Sequence, residues 1–310
     1  MGLKEYVVAI PSYKRAETLR DRTLKLLQDY KISPNKIYIF VADKEEYKIY
    51  NETLPKKSYH KIVIGEPGIK NIRNFMSKYF KEGQYIVYID DDVYNIFECT
   101  NTVLGDSPTG AKTFDKKYNK LSKLKSLKEL INKGFKLSEK TGLTNWGVYP
   151  VHNAYFMKPT TSNISDYVST KAVWLVGTLT GVINNRKAEI RTIGDKEDYE
   201  RTIKYYLKDD GVLRFNNVTI ETKYYKEPGG IQVYRTLNSI YDSAIYLTKQ
   251  YPKLCTLNLG KKSGFAEVRL RDRRENVPIL ILQKNGTVIK QKPEKAGKKT
   301  KKIKKNLKIK

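Results

Sequence analysis

Apolar strands and amphipathic helices alternate along the first 90 residues of the chain. Short apolar runs predict four strands, at 5–10, 36–42, 61–65 and 84–90. The segments between them have apolar residues at helical spacing and predict helices at 17–30, 43–54 and 69–80. This alternation is typical of an α/β fold with a mostly parallel sheet and helices on both faces. The first strand lacks a G-x-G-x-x-G turn, so a dinucleotide-binding dehydrogenase is disfavoured.

The second half of the chain is predicted to complete the same domain. A lysine-rich helix is expected within 105–142, with an apolar stripe of Leu121, Leu124, Leu127, Leu130 and Ile131. Strands at 146–151, 171–183 and 218–225 are expected to form a small second sheet, with a helix at 197–207 before the last of them. A helix near 236–251 and strands near 267–270 and 278–283 close the fold. Because no convincing linker interrupts this series, we expect one domain at 1–289.

The chain carries a formal net charge of +27, from 60 lysines and arginines against 33 aspartates and glutamates. Only 13 of the basic residues are arginines, so the charge suits phosphate neutralisation better than bidentate reading of bases. It favours nucleic acid as substrate or partner, although a solvated lysine surface or AT-rich coding gives a similar composition. The last segment, 290–310, is a basic low-complexity tail that we expect to be disordered.

Cysteine content and hydropathy exclude other classes of protein. With two cysteines, Cys99 and Cys255, the chain can form neither a disulfide scaffold nor a cysteine-rich zinc site, and it fits a reducing compartment. No run approaches 18 apolar residues, and the N-terminus does not have the pattern of a signal peptide. We therefore expect a cytoplasmic protein with no membrane partner.

Three consecutive aspartates, Asp90, Asp91 and Asp92, follow the fourth predicted strand. Carboxylates crowded at the end of a buried strand repel one another, and burial raises their pKa values unless a cation balances them. In open α/β sheets this edge is also where ligands bind. The alternative is a turn or a helix N-cap, which also favour Asp. Oxygen ligands of this kind predict a Mg²⁺ or Mn²⁺ site.

Three other loops are predicted to reach the same edge of the sheet. Their candidate ligand-binding residues are Pro11, Ser12, Tyr13, Arg15, Asp43, Lys70 and Arg73. A proline ends the first strand, and the aromatic ring beside an arginine that follows suits a base and a phosphate. Asp43 could bind a ribose hydroxyl or simply cap the next helix. Lys70 or Arg73, after the turn GEPG, could bind a diphosphate or be a solvated helix residue.

Taken together, these motifs resemble those of GT-A glycosyltransferases. The pattern is I-P-S-Y-x-R after strand one, an aspartate after strand two, G-x-x-x-x-R-N ending at Asn74 and D-D-D after strand four. The resemblance covers 5–92 and resumes at the acidic segment GDKEDYE, 194–200. The pattern after it, Arg201 and then 209–232, is most similar to the TET/JBP-associated glycosyltransferases of phages and large DNA viruses, which include the base J glucosyltransferase.

The resemblance implies a GT-A fold in which 1–95 binds a nucleotide-sugar and 96–289 binds the acceptor. Asp92, with Asp90 or Asp91, is then expected to hold Mn²⁺ or Mg²⁺ on the donor diphosphate, and a UDP-sugar is the first choice of donor. The implied acceptor is the hydroxyl of a hydroxymethylated pyrimidine in DNA, which the charge favours independently. A viral member would work in the cytoplasm or nucleus of the host cell.

The same resemblance implies that the acidic segment holds the catalytic base of an inverting enzyme. Asp198 is the first candidate, and Glu197 and Asp195 are the competing ones. The alternative is that these carboxylates only stabilise the dipole of the helix that begins here.

Other residues are weaker candidates. We expect His60 and His152 to be structural residues rather than metal ligands. Candidates to stack on an extruded base are Trp146, Tyr149 and Trp174. The alternative for all three is a place in the hydrophobic core, and it is favoured for Trp174. The pair Gly229-Gly230 could let the backbone approach a substrate, but a tight turn is favoured.

Three alternative functions remain open from the sequence. The first is a GT-A glycosyltransferase with a protein or glycan acceptor. The second is a nucleotidyltransferase or phosphoryltransferase with two metal ions. The third is a non-catalytic DNA-binding module that has kept the fold. The intact D-D-D and E-D segments disfavour the third.

Overall fold

Ten strands form one mixed sheet in the computed structural model of the protein, which describes residues 5–101, 104–106, 112–114, 119–157, 167–222, 229–260, 264–275, 277–282 and 288–291. In spatial order the strands are β3 (Lys61–Ile64), β2 (Ile37–Val41), β1 (Tyr6–Pro11), β4 (Tyr85–Ile89), β11 (Leu179–Ile183), β9 (Asn145–Tyr149), β12 (Leu213–Glu221), β5 (Asn95–Asn101) and β8 (Asn119–Lys123), and β10 (Val168–Ser169) also pairs with β12. The first four are parallel, and seven of the ten run in one direction. The mostly parallel α/β sheet is therefore confirmed.

Helices cover both faces of this sheet, as predicted. One face carries α1 (Ala16–Leu19), a π-helical stretch (Arg20–Leu24), α2 (Lys25–Asp29), α3 (Lys44–Thr53) and α5 (Leu127–Thr141). The other face carries α4 (Ile69–Tyr79), α6 (Arg186–Glu189), α7 (Glu197–Asp209) and α8 (Leu237–Gln250). Successive strand residues alternate between the two cores: Val8 and Ile10 of β1 pack in the first, and Ala9 packs in the second.

Small two-stranded sheets lie beside the main sheet. They are β6 (Leu104–Asp106) with β7 (Lys112–Phe114), β13 (Cys255–Asn258) with β14 (Glu267–Leu270), and β15 (Ile279–Leu282) with β16 (Val288–Gln291). The strands expected in a second sheet at 146–151, 171–183 and 218–225 instead join the main sheet as β9, β11 and β12. Only Leu179–Ile183 of the second run is a strand, because the preceding residues form a loop.

The lysine-rich helix begins later than its apolar stripe suggests. Leu121 lies in β8, which pairs with β5, and the helix starts at Leu127. The Ser126 side chain accepts a hydrogen bond from the Glu129 backbone N–H at 3.2 Å and so caps the helix. The stripe therefore continues from a strand into a helix, and its spacing alone could not locate the boundary.

Two further expectations concern the chain termini and the membrane. Lys290 and Gln291 pair with β15, so the first two residues of the predicted tail belong to β16. The remainder of the tail, 292–310, lies outside the described residues. None of the helices in the described ranges is long and apolar enough to cross a membrane. The division of 1–289 at residue 95 stays a prediction.

Candidate functional site

A cavity of about 570 Å³ opens at the carboxyl ends of β1 and β4. Eleven of the thirteen donor-binding, metal-binding and catalytic candidates line it, namely Pro11, Ser12, Tyr13, Arg15, Arg73, Asp90, Asp91, Asp92, Asp195, Glu197 and Asp198. Pro11 ends β1, and Ser12, Tyr13 and Arg15 follow it. Arg73 lies in α4, the three aspartates follow β4, and Glu197 and Asp198 begin α7. The chain thus brings the two acidic motifs, about a hundred residues apart in sequence, to the lining of one cavity.

Two predicted residues lie outside this cavity lining. Asp43 is exposed, and its Oδ1 accepts hydrogen bonds from the backbone N–H groups of Glu45 and Glu46, both at 2.9 Å. It is therefore the N-cap of α3, which is the alternative that the sequence left open. Lys70 is half-buried in the first turn of α4. A donor-binding role for Asp43 or Lys70 stays a prediction.

The three aspartates after β4 have different partners. Asp91 is buried; its Oδ2 accepts a hydrogen bond from Ser12 Oγ at 2.5 Å, and its Oδ1 lies 3.3 Å from Arg15 Nη1. Asp90 pairs with Arg73, and Asp92 Oδ2 lies 3.5 Å from Arg15 Nη1. Asp91 therefore ties the β1 loop to the β4 loop, while Asp90 and Asp92 keep side chains that are 30% and 16% exposed.

The carboxylates after β4 carry more negative charge than their neighbours balance. Burial raises the pKa of Asp91 to about 6 against the opposing charge of Arg15. Burial and the repulsion of its two neighbours raise the pKa of Asp92 to about 7. A divalent cation would relieve this repulsion, so the residues present fit one. Within the described ranges no cluster of three or more metal-ligating side chains occurs, so Asp90 and Asp92 would need oxygens of a bound diphosphate or water to complete the coordination.

The glycine pair Gly229-Gly230 packs against the loop after β1. The backbone N–H of Gly230 donates to the Tyr13 carbonyl at 3.0 Å. A Cβ at Gly229, which has φ +83°, would lie 2.8 Å from the Lys14 carbonyl oxygen. The rings of Tyr13 and Tyr234 stack with centroids 6.0 Å apart. The glycines are therefore needed for close approach to the β1 loop of the chain itself, and neither of the two sequence-based interpretations anticipated this contact.

A buried arginine joins the aspartates to the start of α7. Arg73 is 2% exposed; besides its ion pair with Asp90, its Nε lies 3.5 Å from Glu197 Oε1. The other oxygen of Glu197 accepts a hydrogen bond from Arg191 Nε at 2.9 Å. Arg73 Nη1 is buried and has no hydrogen-bond partner among the residues that the structure describes. A buried cation with an unused donor beside a cavity is suited to binding an anion such as a diphosphate.

The two carboxylates at the start of α7 differ in pKa. Burial favours the neutral form of Glu197, but the charges of Arg191, Arg73 and Arg201 outweigh it and lower its pKa. For Asp198, burial and the neighbouring Glu197 raise the pKa. Asp198 is therefore better suited to accept a proton, and Glu197 to hold the arginines as an ionised partner.

Asp195, the third candidate for the base, is engaged elsewhere. Its Oδ1 accepts a hydrogen bond from Arg235 Nε at 2.7 Å, and its Oδ2 accepts one from Ser239 Oγ. These contacts connect the acidic segment to the beginning of α8. Asp195 lines the cavity, but its carboxylate forms an ion pair with Arg235, whereas the hydrogen-bond donors to Asp198 are uncharged, so Asp195 is less suited to proton transfer than Asp198.

The aromatic candidates occupy different places from those expected. Trp174, for which the core was favoured, is half-buried and lines the cavity, where it stacks on Tyr199 at 4.7 Å. Trp146 is fully buried and packs edge-on against Phe135 and Phe215. Its indole lies against Gly134 and Gly181, where a Cβ would come within 2.5 Å and 2.2 Å of ring atoms.

The remaining candidates lie away from the cavity lining. The guanidinium of Arg214 lies over the Tyr149 ring at 5.1 Å. His60 contacts the ring of Tyr38, and His152 contacts that of Phe97.

Sequence reasoning missed several charged or aromatic residues of the cavity, among them Lys196, Tyr234 and Arg235. Lys196 precedes α7 in a left-handed conformation with φ 58°, and burial lowers the pKa of its amine. The other two follow the glycine pair that docks on the β1 loop. The positions of Tyr234 and Arg235 depend on contacts between segments about 200 residues apart in sequence, and no local sequence pattern predicts such contacts.

No protein-family model matches this chain, and it matches none of the curated proteins. Among solved structures it is similar to TarS 1-349 of S. aureus in complex with UDP, with a TM-score of 0.40, 12% identity, and coverage of 70% of this chain and 59% of that one. A second structure of S. aureus TarS matches with a TM-score of 0.40 and 10% identity, and the match covers 79% of this chain and 40% of that one. The mannosyltransferase PcManGT from Pyrobaculum calidifontis, in complex with GDP-Man and Mn2+, matches with a TM-score of 0.42 and 14% identity. This match covers 80% of this chain and 64% of that one.

This chain thus spans less than two thirds of the length of these proteins. At such TM-scores the likeness is remote, so the function has to be inferred from the residues of the cavity.

Proposed function

We propose that this chain is a metal-dependent, inverting GT-A glycosyltransferase that moves a sugar from a nucleotide-sugar to the hydroxyl of a hydroxymethylated pyrimidine in DNA. One observation carries the proposal: the carboxylate cluster after β4 and the carboxylate of Asp198 line the same cavity. Sugar transfer needs stabilisation of a departing diphosphate and a base for the acceptor hydroxyl. The cavity offers groups suited to both tasks.

The donor diphosphate would bind between the β1 and β4 loops. Arg15 and the unpaired Nη1 of Arg73 supply positive charge there. Asp90 and Asp92 would hold Mn²⁺ or Mg²⁺, which when bound neutralises the leaving diphosphate. Tyr13 and Tyr234, whose rings stack on each other, line the cavity beside the same loop and would contact the nucleobase.

Asp198 would act as the general base on the acceptor side. Burial raises its pKa, and the carboxylate lines the same cavity as the aspartates that follow β4. Direct displacement with inversion requires a base that takes the proton of the acceptor hydroxyl, and Asp198 would supply it. Glu197 stays ionised between Arg73 and Arg191 and so keeps Arg73 in place.

DNA as the acceptor is supported by charge. Exposed lysines of α5, Lys128, Lys133, Lys136 and Lys140, lie within the described part of the chain. The segment 290–310 adds eleven lysines against one glutamate. Such lysine-rich surfaces neutralise phosphates without reading bases. A two-metal nucleotidyltransferase is less well supported, because Asp91, which could bridge two ions, is already bound by Ser12 and Arg15.

The test is a transfer assay with purified protein, a panel of UDP-sugars and GDP-sugars, and Mn²⁺ or Mg²⁺. Duplexes that contain hydroxymethylcytosine or hydroxymethyluracil are compared with unmodified duplexes and with oligosaccharides and peptides, and the products are weighed by mass spectrometry. We expect one hexose to be added to a hydroxymethylated duplex only. Transfer to an oligosaccharide or a peptide would replace DNA as the acceptor, and no transfer or donor hydrolysis with any donor would refute the enzyme class.

A further inference from the structure

The carboxylate of Asp198 is held by an indole from outside its own helix. Trp174 Nε1 donates a hydrogen bond to Asp198 Oδ2 at 2.9 Å, and the backbone N–H of Gly177 donates to the same oxygen at 3.2 Å. The other oxygen, Oδ1, accepts from the backbone N–H of Tyr199 at 2.9 Å, a donor shared with the Lys196 carbonyl at 3.1 Å. The Trp174 ring is itself fixed by stacking on Tyr199 with an interplanar angle of 13°.

A count of lone pairs distinguishes the two oxygens. Each carboxylate oxygen has two acceptor sites, and both sites of Oδ2 are used by the indole and by Gly177. Oδ1 has one bond, from a donor that it shares, and so keeps an acceptor site. We infer that Trp174 is a positioning residue, which together with Gly177 fixes Asp198 through Oδ2 and leaves Oδ1 as the oxygen that receives the proton of the acceptor hydroxyl.

This inference rests on the proposed function for its chemistry. The acceptor O–H bond breaks and its proton moves to Asp198 Oδ1, while the acceptor oxygen forms a bond to the anomeric carbon of the donor. The bond from that carbon to the diphosphate breaks, and its electron pair leaves with the diphosphate. The Trp174 N–H stays on Oδ2 throughout, so it stabilises the ionised base before transfer and prevents rotation of the carboxyl group.

Few charged groups surround this carboxyl. On its own helix they are Glu197 and Arg201, and Lys196 precedes the helix. Arg73 of α4 also lies close, since a Cβ at Gly177 would be 3.6 Å from Arg73 Nη2 and 3.4 Å from Asp198 Cβ. Glu267 of β14 and Arg235 act on Lys196. The loop 174–177 contributes the two uncharged donors. Removal of the indole N–H therefore removes a donor that favours the charged form, and no charged group on that loop replaces it.

An NMR experiment tests the contact without any activity. The chain has two tryptophans, and the other one, Trp146, is fully buried in the core, where its indole nitrogen has no hydrogen-bond partner within the described part of the chain. In protein labelled with ¹⁵N, we expect Asp198→Asn to shift the Trp174 indole N–H signal and to leave that of Trp146 in place. The Trp174→Phe variant lacks the Trp174 indole signal and so shows which of the two indole N–H signals belongs to which tryptophan. An unmoved Trp174 signal, or equal movement of both, would overturn the inference.

A kinetic cycle tests the role, with wild-type transfer measured first so that failure of the proposed function shows by itself. Trp174→Phe keeps an aromatic ring and should lower kcat by roughly 10- to 100-fold, the range for loss of a hydrogen bond to a charged group, with donor KM unchanged. The acidic limb of the kcat–pH profile should move to higher pH, because the ionised form of Asp198 loses a donor. In the Asp198→Asn background the same substitution should change kcat by less than about 2-fold. Equal losses in both backgrounds, or an unmoved pH profile, would show that Trp174 does not act through Asp198.

Discussion

Replacement of Asp92 by asparagine should stabilise the metal-free protein while it removes activity. Burial and the neighbouring Asp90 and Asp91 raise the pKa of Asp92 to about 7. The side chain is only 16% exposed, so solvent screens this repulsion poorly. An amide has nearly the same shape and no charge. The substitution therefore removes an unfavourable interaction at neutral and alkaline pH.

The magnitude follows from linkage between protonation and folding. A rise of the Asp92 pKa from 3.8 to about 7 corresponds to at most about 4 kcal/mol, since one pH unit is about 1.4 kcal/mol. Because the pKa of Asp92 is higher in the folded than in the unfolded protein, the preference of the folded state for the protonated carboxyl stabilises the fold fully below pH 4. This contribution to the free energy of unfolding is lost as the pH rises to 7. Relative to wild type, Asp92→Asn should therefore gain stability progressively between pH 4 and pH 7.

Thermal or urea unfolding in EDTA at pH 5 and pH 8 measures this gain. We expect Asp92→Asn to be more stable than wild type by about 1–4 kcal/mol at pH 8, and the difference to shrink at pH 5. The matched control is Asp29→Asn, the same change at an exposed carboxylate of α2, which should alter stability by less than about 0.5 kcal/mol. Addition of Mn²⁺ should stabilise wild type more than Asp92→Asn. A variant that is less stable than wild type at pH 8 would refute the electrostatic reasoning.

Three further predictions concern the base, the core and the tail. Asp198→Asn should lower kcat by ~10²–10⁴-fold with donor binding unchanged in calorimetry, and a loss of donor affinity at constant kcat would contradict its role as base. Gly181→Ala should destabilise the fold by about 1–3 kcal/mol in urea unfolding, because the new Cβ would lie 2.2 Å from the Trp146 ring. The control Gly260→Ala, whose Cβ would have its nearest atom at 3.8 Å, should be tolerated. Equal stabilities of the two variants would contradict this packing. A chain that ends at Gln291 should keep its melting temperature but bind DNA more weakly. The slope of log binding constant against log salt concentration should flatten by roughly 0.9 for each phosphate contact that is lost. An unchanged slope would exclude the tail from DNA binding.

The sequence was sufficient for the features that depend on local pattern. Alternating strands and helices predict a parallel sheet, and the carboxyl ends of parallel strands necessarily share an edge. That is why Ser12, Arg15 and Asp91, from two different loops, could be placed together before the structure was known. The same reasoning failed where periodicity continues across a boundary, as it does from β8 into α5, since Leu121 and Leu127 fit one stripe.

Contacts between distant segments were beyond local reasoning. Trp174 lies in an apolar run, AVWLVG, which has the composition of a buried strand. The run is a loop in the structure, and its indole has a polar partner on α7, so the apolar neighbours gave the wrong environment. Nothing in the run KEPGGIQVYR indicates that Gly229 docks on the loop after β1, because the reason for the glycine is the Lys14 carbonyl oxygen.

A chain of ion pairs couples the two halves of the cavity. Asp90 pairs with Arg73, Arg73 lies against Glu197, and Glu197 is bound in turn by Arg191. A cation or diphosphate at the aspartates after β4 competes with Arg73 for Asp90, and any change at Arg73 alters the electrostatic environment of Glu197. Glu197 raises the pKa of the adjacent Asp198, which favours uptake of a proton by Asp198. In the mechanism that we propose, donor binding and the proton affinity of Asp198 are therefore linked through the buried charges of Arg73 and Glu197, and this link accompanies the cost of burying Arg73.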